Sequence, residues 1–246
     1  MQGASLILTA YQDALSRSMD IVANNVANVN TSGFKRQELK FDTLLSRPTP
    51  RDSFAFGVDR GTFRDAGQGP SLVTGNPFDL AIQGGGYCQV QTDAGIRYTR
   101  AGAFQLNAQG QMITATGDKL LGDGDQPITI PEDARDVVIS ADGVISARSG
   151  TGTGATQLGK LKLVKFEREQ GLQMIGNGLY ATSETPQTAT GSDIVQGMLE
   201  QSNVRSVTEI TNMIQINRTY QQAVRLLETE MQRQKDAINR LSKATA

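Results

Sequence analysis

Residues 203–242, NVRSVTEITNMIQINRTYQQAVRLLETEMQRQKDAINRLS, decide how this chain is organised. The stretch has no Gly or Pro, the two residues that most weaken a helix. Alternating steps of three and four residues pick out Ile210, Met213, Asn217, Tyr220, Val224, Leu227, Met231, Gln234, Ile238 and Leu241. All but Asn217 and Gln234 are apolar, and the row persists for more than four heptads, a pattern of coiled-coil grade. Asn217 and Gln234 either fix a pairing register or are solvated edges of a bundle helix. Arg218 beside the row is either a subunit contact or a solvated charge.

A second stripe lies at the other end of the chain, over about residues 4–29. Ala4, Leu8, Tyr11, Leu15, Ser18, Val22, Asn25 and Val29 share one helical face. Gly33 is a natural stop. The opposite face is mostly Asn, Gln, Ser and Thr, unusual for a helix that meets only water. A long amphipathic helix is marginal alone in water. At 1.5 Å per residue the head spans roughly 39 Å and the tail ~60 Å, so head–tail pairing leaves part of the tail bare. The fold class expected is α+β: terminal helices paired as a coiled-coil-like α domain, with a β-rich middle.

The middle is set apart by its turn residues. All 7 Pro fall between Pro48 and Pro186, and 24 of the 26 Gly between Gly57 and Gly197. Short alternating runs such as YCQVQT, IRYTR, PITI, RDVVIS and KLKLVKFE predict strands. Asp142-Gly143 between VVIS and VISA predicts a hairpin. SARSGTGTGATQ, residues 146–157, predicts an exposed flexible loop. The expected domains are residues 1–35 with 198–246 as a discontinuous helical domain, 36–75 as an extended connection or hairpin, and 76–197 as the β-rich body.

Composition excludes much chemistry. With 246 residues, 24 Lys plus Arg against 25 Asp plus Glu and a net charge of −1, there is no basic excess for nucleic acid. No run is apolar for long enough to span a bilayer. The N-terminus has no basic region ahead of its short apolar run, so no cleaved signal peptide is expected. The chain has no His, which removes His-based triads and His metal ligands. Cys88 is the single Cys and is expected to be a buried small apolar residue. Gly84, Gly85 and Gly86 lack the Lys-Ser or Lys-Thr of a phosphate loop and are taken as a turn or bulge. Asp118, Asp123 and Asp125 lack calcium-loop spacing and are taken as turn residues. No catalytic, cofactor-binding or metal residue is assigned, and no cofactor is expected.

Three blocks carry a resemblance. ANNVANVNTSGFKR at 23–36, TGNPFDLAIQGGGYCQV with YTRAGAFQLNAQGQMITATG within 74–117, and QGMLEQSNVRSVTEITNMIQINRTYQ at 196–221 together resemble the bacterial flagellar axial proteins, the rod and hook family. Their order and spacing match along nearly the whole chain. Length and the compact middle resemble the proximal-rod type, with the distal-rod type as the alternative. Tyr87-Cys88 stands where relatives often have two aromatic residues.

The resemblance implies a structural subunit with an inner helical tube and an outer β layer. It implies a place in the basal-body rod in the periplasm, and export by the flagellar type III apparatus without a cleaved signal. The implied partners are copies of itself and other rod proteins; no nucleic acid or membrane insertion is expected. A secreted binding module of another kind is the competing reading. The expected interface comprises Leu8, Tyr11, Leu15 and Val22 of the head, Asn24, Asn25, Asn28 and Asn30 at its end, Leu199, Ser202, Asn203 and Val204 before the tail, and Ile210, Met213, Asn217, Arg218, Tyr220, Val224, Leu227 and Met231 of the tail. Leu199, Ser202, Asn203 and Val204 are expected as a hinge, where Ser202 or Asn203 is suited to cap the tail helix. The asparagines fit either inter-subunit hydrogen bonding or plain C-capping.

Overall fold

The computed structural model describes residues 2–49, 52–149 and 154–244; within these, the side chains of 2–6, 41–60, 149, 238 and 240–244 are not described. Among the described residues there are two α-helices, α1 (Gln2–Ala27) and α2 (Ser206–Ala244), and several small β-sheets between them. The chain divides into two compact units. One comprises residues 1–27, 37–65 and 205–246, the other 28–36 and 66–204.

The first unit contains both helices and a long hairpin of β1 (Gln37–Thr49) and β2 (Asp52–Arg64), paired antiparallel with a register shift between Leu39 and Phe41. The helices pack on one another. Asn25 near the end of α1 bonds Glu209 near the start of α2, so they run antiparallel. The inward face of α1 follows the head stripe: Val22 and Asn25 are buried, and Leu8, Leu15 and Ser18 half-buried. Tyr11 is 47% exposed. On α2 the most buried positions are Glu209 and Ala223, each one residue before a member of the predicted row. Met213, Val224, Leu227 and Gln234 of that row are half-buried, whereas Ile210, Tyr220 and Met231 are exposed. The apolar surface of α2 is wider than a single seam, and α1 covers one edge of it. Ala4, Ile238 and Leu241 lie outside the residues with described side chains.

The second unit is built from β strands. After β3 (Ser71–Val73), β4 (Leu80–Gln83), β5 (Tyr87–Thr92) and β6 (Gly95–Thr99), its main sheet runs in the order Gln173–Gly176, Leu179–Ala181, β6, β5, Lys119–Leu120, Met112–Thr114 and Phe104–Leu106. Two short antiparallel pairs join β4 to Asp193–Gln196 and β3 to Met198–Glu200. Alternation along β5 separates two cores. Cys88 and Val90 enter an aliphatic cluster with Leu80, Ile82, Met112, Leu120 and Ile145. Tyr87 turns to the other side, with Tyr98, Phe166 and Tyr180. The ring pairs Tyr87–Tyr180 and Tyr98–Phe166 are edge-on at 5.5 and 4.7 Å, a favoured aromatic geometry.

The hairpin predicted at Asp142-Gly143 joins Ala134–Ile139 to Val144–Ser149, with Gly143 at φ 86. Two strand readings are corrected. The segment taken as a flexible loop is largely paired: Ser146, Ala147 and Arg148 face Gln157, Thr156 and Ala155. Ala147 is buried and Leu158 packs on the aliphatic core, so one inward side chain on each strand anchors an otherwise polar hairpin. The tip of that loop, 150–153, lies outside the described residues. PITI at 127–130 forms only single bridges, from Pro127 to Leu121 and from Thr129 to Gln111. Pro127 has no N–H for a ladder, and Ile128 and Ile130 serve the core instead.

Burial pushes the Cys88 thiol up to about 12, with the Arg100 charge opposing the shift. The thiolate is therefore scarce at pH 8. Alkylation of Cys88 by iodoacetamide at that pH is expected to be on the order of a thousandfold slower in the native chain than in urea. Equal rates would contradict the buried assignment.

Candidate functional site

The chain leaves α1 through residues 28–36 and reaches α2 through residues 200–204, and both passages belong to the β unit. The first begins as a tight turn in which Thr31 N–H donates to Asn28 O at 3.1 Å and Phe34 N–H to Thr31 O at 3.2 Å. Gly33 has φ +69, and a Cβ there would lie 2.5 Å from the backbone carbonyl of Arg100, so both conformation and space demand glycine.

The two passages are bonded to each other. Gly33 N–H donates to Glu200 O at 2.8 Å, and Asn203 N–H to Phe34 O at 3.4 Å. Ser32 Oγ donates to Glu200 O at 3.0 Å. Asn203 Oδ1 accepts from Arg36 N–H at 2.7 Å, and its Nδ2 donates to Gly67 O at 2.9 Å. Ser202 Oγ accepts from Val204 N–H at 3.2 Å. These bonds tie Ser202 and Asn203 to the junction ahead of the helix.

At the centre is the Glu200 carboxylate, 1% exposed. Oε1 accepts from Lys35 Nζ at 2.6 Å and from Gly69 N–H at 3.0 Å. Oε2 accepts from Arg100 Nε at 2.6 Å. Lys35 and Arg100 are themselves 2% and 5% exposed. Backbone carbonyls complete the cations: Lys35 Nζ donates to Gly67 O at 2.8 Å, and Arg100 to Gly86 O at 2.9 Å, Gly84 O at 2.7 Å and Ile82 O at 3.3 Å. Two of the three glycines, Gly84 and Gly86, thus offer carbonyls to a guanidinium of the same chain, while the Gly85 carbonyl accepts from Ser192 Oγ. Gly69 is also forced, because a Cβ there would sit 1.9 Å from Gln201 O.

A second polar anchor lies in the helical unit. Asn25 is fully buried; its Oδ1 accepts from Gln37 N–H at 2.9 Å and its Nδ2 donates to Gln37 O at 2.8 Å and Glu209 Oε2 at 3.2 Å. Its amide mimics a strand partner for the first residue of β1 and reaches α2 at the same time. The other expected asparagines differ. Asn24 and Asn30 are exposed, while Asn28 Oδ1 accepts from Thr31 Oγ1 at 3.1 Å. Asn217 is exposed and accepts from Gln221 Nε2 at 2.8 Å, and Arg218 is exposed. Leu199 is half-buried and Val204 buried. Asp118 accepts from Thr114 and Thr116 hydroxyls, and Asp125 pairs with Lys162 at 3.0 Å.

Sequence reasoning named the neighbours of this cluster but not Lys35, Arg100, Glu200 or Glu209. The available signal was a charged residue in each of three short contexts: Lys35 in GFKR, Arg100 in YTRAG and Glu200 in MLEQS. Each lies in a different one of the three blocks that carried the resemblance.

Family models match at residues 12–35, described as flagella basal body rod protein, at 81–147, flagellar hook protein FlgE/F/G D1 domain, and at 195–241, flagellar basal body rod FlgEFG protein C-terminal. The flagellar basal-body rod protein FlgF of Caulobacter vibrioides is 37% identical over 99% of both chains. The chain belongs to the flagellar basal-body rod protein family. FlgG of Agrobacterium fabrum is 33% identical over 92% of this chain and 94% of its own. FlgF of Mesorhizobium japonicum is 32% identical over 98% of each. Within this rod protein, Lys35, Arg100 and Glu200 fall one in each matched segment.

Removing one member of a buried charge cluster costs about 3–5 kcal/mol when it strands the other members. Glu200→Gln leaves two buried cations without their carboxylate and is expected to lower the unfolding free energy in urea by about that amount. Lys35→Met leaves the Glu200–Arg100 pair intact and is expected to cost clearly less. Equal losses from both substitutions would contradict this division of roles.

Proposed function

We propose that this chain is a structural subunit of the flagellar basal-body rod, of the proximal FlgF type. Its terminal helices assemble with copies of itself and with other rod proteins into a helical tube that carries the export channel, and its β unit stiffens the outside so that torque passes along the axis. The observation that carries this reading is the match to a FlgF protein over 99% of both chains. A distal-rod role is the second reading, favoured by FlgG relatives such as that of Agrobacterium fabrum.

Physical features support an assembly role. Tyr11 on α1, and Val207, Ile210, Ile214, Leu226 and Met231 on α2, are exposed apolar side chains on helices that already share one buried face. Repeated association through such surfaces generates open helical arrays when the contact is head-to-tail. Pairing of the helices as a coiled coil belongs to the assembled state in this proposal, with the exposed members of the expected interface, Tyr11, Ile210, Tyr220 and Met231, facing neighbouring subunits. The proposal places the subunit in the periplasm after type III export without a cleaved signal, and gives it no catalysis, no nucleic-acid partner and no membrane insertion. No helix among the described residues is long and apolar enough to cross a membrane.

The test is complementation of a strain lacking the gene. The intact chain restores swimming and is recovered in purified hook–basal bodies, at a position along the rod that separates the two types. Leu227→Asp, which places a charge on the half-buried face of α2, is expected to abolish incorporation while the β unit keeps its thermal transition within about 3 °C. Normal swimming without the chain, or its absence from purified basal bodies, would overturn the proposal.

A further inference from the structure

The junction formed by residues 32–36 and 200–204 is satisfied entirely from within one chain. Backbone bonds link Gly33 to Glu200 and Asn203 to Phe34. Side-chain bonds join Arg36 N–H to Asn203, Ser32 to Glu200 O, and Gly69 N–H to the Glu200 carboxylate. Two ion pairs of 2.6 Å close it. Nothing in this set awaits a neighbouring molecule, in contrast to the helices, which leave Tyr11, Ile210 and Ile214 exposed.

We propose that this junction is a charge-locked clamp, complete in the unassembled subunit, that holds residues 32–36 beside residues 200–204 before any contact with another subunit. The lock is asymmetric. One carboxylate serves two cations, while carbonyls from the 82–86 loop and Gly67 disperse the remaining positive charge. Glu200 therefore draws together three separate stretches of chain, around Lys35, Gly69 and Arg100. A clamp of this kind restricts the order that assembly must create to the helices themselves. Local opening and global opening are then distinct events in the free chain. The inference concerns the isolated subunit, so its failure leaves the rod assignment standing.

Residue-resolved amide exchange on the dilute full-length chain tests it. The reporters are the N–H groups of Gly33, Arg36, Gly69 and Asn203, compared with that of Val90 in the core. The clamp predicts exchange at the four reporters within about tenfold of Val90 and at least a hundredfold slower than an unprotected amide. Glu200→Gln is expected to accelerate the four by at least about tenfold more than it accelerates Val90, whose exchange follows the lowered global stability. If Glu200→Gln does not fold, Lys35→Met serves as the second variant. It retains the Arg100 pair and is expected to speed Arg36 and Gly33 more than Gly69. Fast exchange of all four in the intact free chain would overturn the proposal. Reporter rates unchanged by loss of the Glu200 charge in a folded variant, or by Lys35→Met where that is the variant used, would also overturn it.

Discussion

A carboxylate at 1% exposure, held at 2.6 Å from two cations, is stable only because almost every polar atom around it has a partner. Taking Glu200, Lys35 and Arg100 out of water individually costs several kcal/mol each, and their mutual attraction offsets this only with good geometry and added hydrogen bonds. The added bonds come from Gly69 N–H and from the carbonyls of Gly67, Ile82, Gly84 and Gly86. That requirement explains features that otherwise look unrelated. Gly84 and Gly86 turn carbonyls toward Arg100, and Gly33 and Gly69 permit backbone approaches that any Cβ would block. The strand Met198–Glu200 ends where its last side chain must turn inward.

The two units differ in how far each buries its own apolar surface. The β unit has its own aliphatic and aromatic cores and needs nothing from outside to bury them. The helices have one face buried between them, and apolar side chains remain exposed on α2 from Val207 to Met231. Asn25 does for the helical unit what Glu200 does for the β unit: a buried polar side chain used to join segments far apart in sequence. An amide that satisfies both the N–H and the C=O of Gln37 fixes β1 in register at its first residue.

How much of this was legible in the sequence follows from the range of the interactions. The helices were visible because their signal is local: no Pro, no Gly beyond Gly3, and apolar residues every three to four positions. The Asp142-Gly143 hairpin was visible for the same reason. The offset of the buried face of α2 to Glu209 and Ala223 was not, because the apolar surface of that helix is wide enough to admit more than one seam. The strand pairing across the Gly-rich loop was hidden by composition, with only Ala147 and Leu158 to mark an inward face. The ion cluster was the least legible element. Its members are separated by 165 and 100 residues, and no periodicity connects them. The resemblance placed all three blocks correctly without indicating that each contributes one charge to a common site.

The central claim is that Lys35 and Glu200 depend on one another within a shared buried cluster. A double-mutant cycle with Lys35→Met and Glu200→Gln in the full-length chain, read by urea unfolding of the β unit, measures that dependence most directly. Glu200→Gln should cost at least about 1.5 kcal/mol less when Lys35 is already Met, since one stranded cation is then gone. An interaction energy below about 0.5 kcal/mol would mean that the two residues act independently, and would contradict the account.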